Sequence, residues 1–137
     1  MKYLGIDYGT KRIGVAVSDP EGRVAFPLTV VSANGVALAV VAGLVEQHGA
    51  GEIVMGESRD LSGQPNPVQK KIEEFGRELG ELTSVSVVYS PELFTSALAA
   101  RQFTPEAGSR KKNPSHDNLD ASAAALILQG FLDKLKR

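Results

Sequence analysis

The stretch Leu4-Gly5-Ile6-Asp7-Tyr8-Gly9-Thr10-Lys11-Arg12-Ile13-Gly14-Val15-Ala16-Val17-Ser18 sets one carboxylate between two apolar runs of strand character. Ile6 has strand propensity, Gly9 and Thr10 supply turn chemistry, and Ile13 to Val17 reads as a returning strand. The segment therefore predicts a β-hairpin with Asp7 near the end of its first strand. A carboxylate desolvated there is costly unless it meets a cation or hydrogen-bond donors. Either Asp7 has a chemical task or it only caps the turn, a common use of aspartate; the hairpin alone leaves both open.

The rest of the chain limits what can be built around that hairpin. With 137 residues and 42% apolar residues, one ordinary core in one domain over residues 1–137 is expected. There are no cysteines, so a metal site would use oxygen or histidine ligands and never thiolate. The opening apolar run is too short for a signal peptide, and no segment approaches the roughly 18 apolar residues of a membrane span, so a cytoplasmic protein is expected. A net charge of -1 gives no global attraction to nucleic acid, which leaves local basic clusters as the only route to it.

Tyr3–Asp7, Ile13–Ser18 and Arg23–Val31 read as three successive strands, with Asp19-Pro20-Glu21-Gly22 as the second turn. Val36–His48 predicts a helix stopped by Gly49 and Gly51, and Ile53–Gly56 a short buried strand. Glu57–Pro67 reads as an exposed loop, Val68–Leu82 as a helix on the spacing of Val68, Ile72, Phe75 and Leu79, and Val85–Tyr89 as a strand. Pro91–Arg101 suits a helix with proline in its first turn. Thr104–Asn118 reads as a loop, and Leu119–Lys136 as the final helix, packed through Ala121, Ala124, Ala125, Leu128 and Leu132. The sum is an α/β domain: an antiparallel three-strand meander extended to a five-stranded mixed sheet, with helices on both faces.

A strand-Asp-x-Gly-Thr hairpin of this kind is shared by two groups: actin-like sugar kinases and chaperone ATPases, and ribonuclease H-like nucleases. The ATPases bind nucleotide between two such domains, and this chain has the length of one. The hairpin, together with Leu119-Asp120-Ala121-Ser122-Ala123-Ala124-Ala125-Leu126-Ile127-Leu128-Gln129, resembles the two end motifs of the YqgF-type (RuvX) family of the ribonuclease H-like superfamily. That family carries the names Holliday junction resolvase and pre-16S rRNA nuclease. The resemblance covers essentially the whole chain. Where the family commonly has an Asp-Glu-Arg-Leu-Thr-Thr type segment, this chain has Pro91-Glu92-Leu93-Phe94-Thr95-Ser96, matching at Glu92 and Thr95. Gly56-Glu57-Ser58 stands where Gly-Leu-Pro is usual. The carboxylate set is intact, and the arginine of that segment is missing.

The resemblance implies phosphodiester hydrolysis with Mg²⁺ or Mn²⁺, two ions about 3.5 to 4 Å apart, which hard oxygen ligands suit. Asp7, Glu92 and Asp120 would be the catalytic acids and metal ligands. Asp117, three residues before Asp120, is either a fourth ligand, as in resolvases of the RuvC class, or the N-cap of the last helix. Glu92 on its own is also what an ordinary first helical turn attracts. His116 is a weak candidate for a proton carrier beside its plainer reading as a solvated loop histidine. Lys11 and Arg12 on the hairpin turn, and Arg110, Lys111 and Lys112 before the last helix, would flank the acids and neutralise substrate phosphates. Lys70 and Lys71 read as a solvated helix face. Structured RNA, foremost the precursor of 16S rRNA, is the expected substrate, with branched DNA and a non-catalytic nucleic-acid-binding factor as alternatives. Nothing marks a dimer face, so a monomer or weak homodimer is expected.

Overall fold

Leu4, Ile6, Ile13, Val15, Ile53 and Met55 are fully buried on one side of a sheet, and Ala16 and Val54 on the other. Strands covered on both faces need near-continuous apolar runs, which is how these segments read. The computed structural model describes residues 1–57, 67–90 and 116–135. The elements are β1 (Tyr3–Tyr8), β2 (Arg12–Ser18), β3 (Ala25–Ser32), α1 (Ala37–His48), β4 (Glu52–Gly56), α2 (Pro67–Thr83), β5 (Ser86–Ser90) and α3 (His116–Leu135). The sheet order is β3-β2-β1-β4-β5, antiparallel through the first three strands and parallel from β1 to β4 to β5. The expected mixed five-stranded sheet is therefore present.

Helices α1 and α2 cover one face, where Val41, Val45, Ile72 and Leu79 pack on the strands. Helix α1 stops as its glycine requires. Gly49 adopts φ 65°, its N–H donates to the Glu46 carbonyl at 3.2 Å, and the Ala50 N–H donates to the Val45 carbonyl at 3.1 Å. This pairing closes the last carbonyls of the helix. In the β2–β3 turn, the Asp19 carboxylate accepts from the N–H groups of Arg23 at 2.7 Å and Val24 at 3.1 Å. Those bonds hold its pKa below the ordinary aspartate value. Because the folded pKa is the lower one, the stabilisation is present at neutral pH and is lost as pH falls through it.

Helix α3 covers the other face alone among the described residues, through Ala124, Ile127, Leu128 and Leu132. Its approach is close because the strands beneath it offer glycine. A β-carbon on Gly5 would lie 2.7 Å from Leu128 Cβ and 3.2 Å from the Ala124 carbonyl oxygen, and one on Gly56 would lie 2.8 Å from Ile127 Cδ1. Gln129 ties the same helix to the start of β3. Its Oε1 accepts from the Ala25 N–H at 2.8 Å, and its Nε2 donates to the Arg23 carbonyl at 2.9 Å.

The last helix begins earlier than expected. The loop reading of Thr104–Asn118 is corrected at its end: His116, Asp117 and Asn118 are helical, continuous with the helix that buries Ala121, Ala124 and Leu128. The expected loop over Glu57–Pro67 is likewise corrected at its end, since Pro67 opens α2 as a first-turn proline can, while its residues 58–66, the helix over Pro91–Arg101 and the loop up to residue 115 lie outside the described residues. Gly5→Ala should destabilise the protein by about 1–3 kcal/mol, since neither Leu128 Cβ nor the α3 backbone can yield without moving the helix. Urea unfolding measures it, and an unchanged midpoint would contradict the tight contact.

Candidate active site

Alternation along β1 decides where Asp7 faces. Leu4 and Ile6 lie in the core under α1 and α2, while Gly5 lies under α3. Asp7, two residues beyond Gly5, is therefore on the α3 face, at the end of the strand. Its antiparallel partner on β2 is Gly14. On the other side Ile6 pairs with Met55, so the next position is Gly56, which pairs in turn with Ser90 of β5. One row across the sheet thus reads Gly14, Asp7, Gly56, Ser90. No β-carbon from either neighbouring strand crowds the half-buried Asp7 carboxylate.

Helix α3 runs antiparallel to β1 across this face. Tyr3 meets Phe131 with ring centroids 5.9 Å apart, and Gly5 meets Leu128 and Ala124. Continuing one step, Gly5 to Asp7 advances about 6.6 Å along the strand, and Ala124 back to position 120 advances about 6 Å along the helix. Positions 117 and 120 share the helical stripe of Ala124 and Leu128, at spacings of seven and four from Ala124. The fold therefore brings the first turn of α3 to the edge that carries Asp7. Two of the sequence-predicted acids are at backbone positions converging on the third.

The remaining candidates divide between described and undescribed segments. Lys11 is exposed on the β1–β2 turn, where its carbonyl accepts from the Ala33 N–H at 2.9 Å, and Arg12 opens β2 beside it. Both stand at the Asp7 edge. Glu92, Arg110, Lys111 and Lys112 lie outside the described residues; β5, which leads toward Glu92, ends at Ser90 in the row of Asp7. Of the four candidate carboxylates only Asp7 has a described side chain, and among the described residues no three His, Cys, Asp or Glu form a metal-binding cluster. The donor chemistry still fits a hard divalent cation: the candidates offer carboxylate oxygen, and the chain has no thiol.

Two aromatic groups that sequence reasoning passed over brace this edge from the opposite face. Tyr8 packs on Phe75 of α2 with centroids 5.2 Å apart. The Tyr89 hydroxyl sits over Gly76, where a β-carbon would collide with it. Burial, with the nearby Glu73 charge adding to it, raises the Tyr89 pKa, so the phenol stays neutral at physiological pH. The signal for both was an aromatic residue beside a strand end, opposite a helix face interrupted by glycine.

The family model described as "RuvX: Holliday junction resolvase" matches residues 1–134. The chain belongs to the RuvX family. Among curated relatives, a Moorella thermoacetica protein named "Putative pre-16S rRNA nuclease" is 36% identical over 137 residues, covering 98% of this chain and 96% of the relative. A Bacillus cereus (strain B4264) protein of the same name is 34% identical over 138 residues, covering 98% and 99%. Among solved structures, Thermus thermophilus RuvC in complex with Holliday junction substrate superposes with a TM-score of 0.62 at 16% identity, covering 99% of this chain and 96% of RuvC. A fowlpox virus resolvase with Holliday junction DNA gives 0.59 at 11% identity, covering 100% of both chains. These structures establish the ribonuclease H-like fold of this RuvX-family chain.

The early start of α3 changes the expectation for Asp117. It lies inside the first turn, after His116, rather than at the N-cap that precedes a helix. Asp117→Ala should then be at least as stable as Asp117→Asn, because alanine is the better helix former inside a turn. A capping residue would give the reverse order, so thermal midpoints of the two variants decide it.

Proposed function

We propose that this chain is a divalent-metal-dependent nuclease that hydrolyses phosphodiester bonds in structured RNA, with precursor 16S rRNA as its substrate in the cytoplasm. One ribonuclease H-like domain over residues 1–137 would carry the activity. The observation that carries the reading is the convergence of Asp7 and the first turn of α3 at one sheet edge. The names of relatives matched over nearly their full length support the choice of substrate. Asp7, Glu92, Asp117 and Asp120 would hold two Mg²⁺ or Mn²⁺ ions, with Asp7, Glu92 and Asp120 as the catalytic core of that set. The chemistry such ions supply when bound is Lewis acidity at the phosphoryl oxygens and a nucleophilic water near neutral pH.

The protein's own groups do the rest. Asp7 presents its carboxylate from a strand end, beside the first turn of α3, where a phosphodiester would meet it in this reading. Lys11 and Arg12 neutralise phosphates on one flank, and Arg110, Lys111 and Lys112 supply the second flank in this reading. Backbone contacts of this kind position a polyanion without reading its sequence. A second reading, cleavage of branched DNA, is favoured by the description of the matching family.

Asp7→Asn should abolish cleavage while leaving the thermal midpoint intact, since the amide keeps the volume and loses the charge. Asp120→Asn should do the same with stability kept or raised, because one like charge leaves an acidic cluster. The assay compares single-stranded RNA, duplex RNA, single-stranded DNA and a four-way junction in Mg²⁺ or Mn²⁺. Preferential cutting of the junction replaces the first reading with the second, and binding without cleavage by the wild type replaces both with a non-catalytic factor.

A further inference from the structure

Helix α2 carries its charges in the order its own dipole disfavours. Lys70 and Lys71 lie near its N-terminus, four acids (Glu73, Glu74, Glu78 and Glu81) against the single base Arg77 follow, its first turn has no acid and its last turn has no base. The positive end of a helix repels cations and the negative end repels carboxylates. Local ion pairing does not compensate, since neither lysine forms an ion pair among the described residues. An arrangement that costs the helix stability calls for a purpose outside the helix.

The packing of α2 shows what its lysines face. Gly80 lies against the Val85 carbonyl and Val87, Gly76 against Tyr89 and Met55, and Phe75 against Tyr8. Moving toward the N-terminus of α2 thus moves up β5 and past the end of β1. Lys71, one turn before Phe75, shares with Tyr8, Glu74, Phe75 and Glu78 a groove of about 300 Å³. Tyr8 is the neighbour of Asp7, so this groove opens at the edge of the candidate site. Both lysines are exposed, as expected of a solvated helix face, and that face stands on the far side of Asp7's strand end from α3.

We infer that Lys70 and Lys71 form a further bank of phosphate contacts for the nucleic-acid substrate, across the Asp7 edge from the α3 face. The inference rests on the nuclease reading of that edge. Glu74 and Glu78 repel phosphate from the path down α2, so the substrate backbone crosses the helix end near Tyr8 and Lys71 and does not follow the helix axis. The contact is to backbone charge and is shared by RNA and DNA.

The test is fluorescence anisotropy of a labelled RNA duplex and a labelled four-way DNA junction, in EDTA to prevent hydrolysis, from 50 to 200 mM salt. The Lys70→Gln/Lys71→Gln double variant should bind on the order of tenfold more weakly at 0.1 M salt. Its slope of log K against log salt should be flatter by about two on the duplex, near 0.9 for each phosphate that the variant no longer neutralises. Its thermal midpoint should be unchanged or raised, because two cations leave the positive end of a helix. Lys71→Arg should keep the wild-type slope, and so should Lys2→Gln at the opposite end of β1. A wild-type slope in the double variant, whatever its midpoint, overturns the inference and leaves the nuclease reading standing. Absence of binding by the wild type itself overturns that reading and this inference with it.

Discussion

The close seating of α3 on Gly5 is the constraint on which the candidate site depends. The helix is the only element covering its face of the sheet among the described residues, and its buried side is built from Ala121, Ala124, Ile127, Leu128 and Leu132. Small residues on the helix meeting glycine on the strand bring the two backbones near enough that the axial position of α3 is set by contact rather than by loose hydrophobic cover. That position determines how far the first turn of α3 reaches along β1, and so whether positions 117 and 120 stand level with Asp7. The glycine that allows the packing and the aspartate that carries the candidate chemistry are two residues apart on one strand because both must face the same helix.

The sheet supplies the second half of the geometry. Parallel pairing of β1, β4 and β5 delivers three strand ends to one edge, and ligand sites in such sheets favour the crevice beyond those ends. Antiparallel β2 returns Lys11 and Arg12 to the same edge through a short turn. A hairpin joined to a parallel half-sheet thus places an acid and two bases together with only a few residues of loop between them.

Much of the fold was legible because its signals are local. Alternation and turn residues located all five strands to within two residues, and Gly49 marked the end of α1. The beginning of α3 was misread because His116, Asp117 and Asn118 have loop composition, while what makes them helical is the packing of alanines and leucines that follow in the chain. Asp7 was legible as a site candidate from its polar chemistry within an apolar strand. Lys70 and Lys71 were not, because their spacing to Glu74 is that of an ordinary exposed helix, and only the antiparallel course of α2 along β5 reveals which way its first turns point. Glu92 rests on motif resemblance alone, and β5 can be followed only to Ser90.

The Gln129 clamp has a consequence for the birth of the protein. Residues near positions 5, 25 and 129 come together only when α3 has been made, so an apolar face of the sheet waits for that helix to cover it. During synthesis the hairpin, α1, α2 and the parallel strands can assemble around their own core, yet the edge holding Asp7 lacks the helix that completes it. A nascent chain still short of α3 therefore lacks the one described element that covers this side of the sheet and has no complete site, and the capacity to cut nucleic acid would be withheld until that helix has emerged from the ribosome.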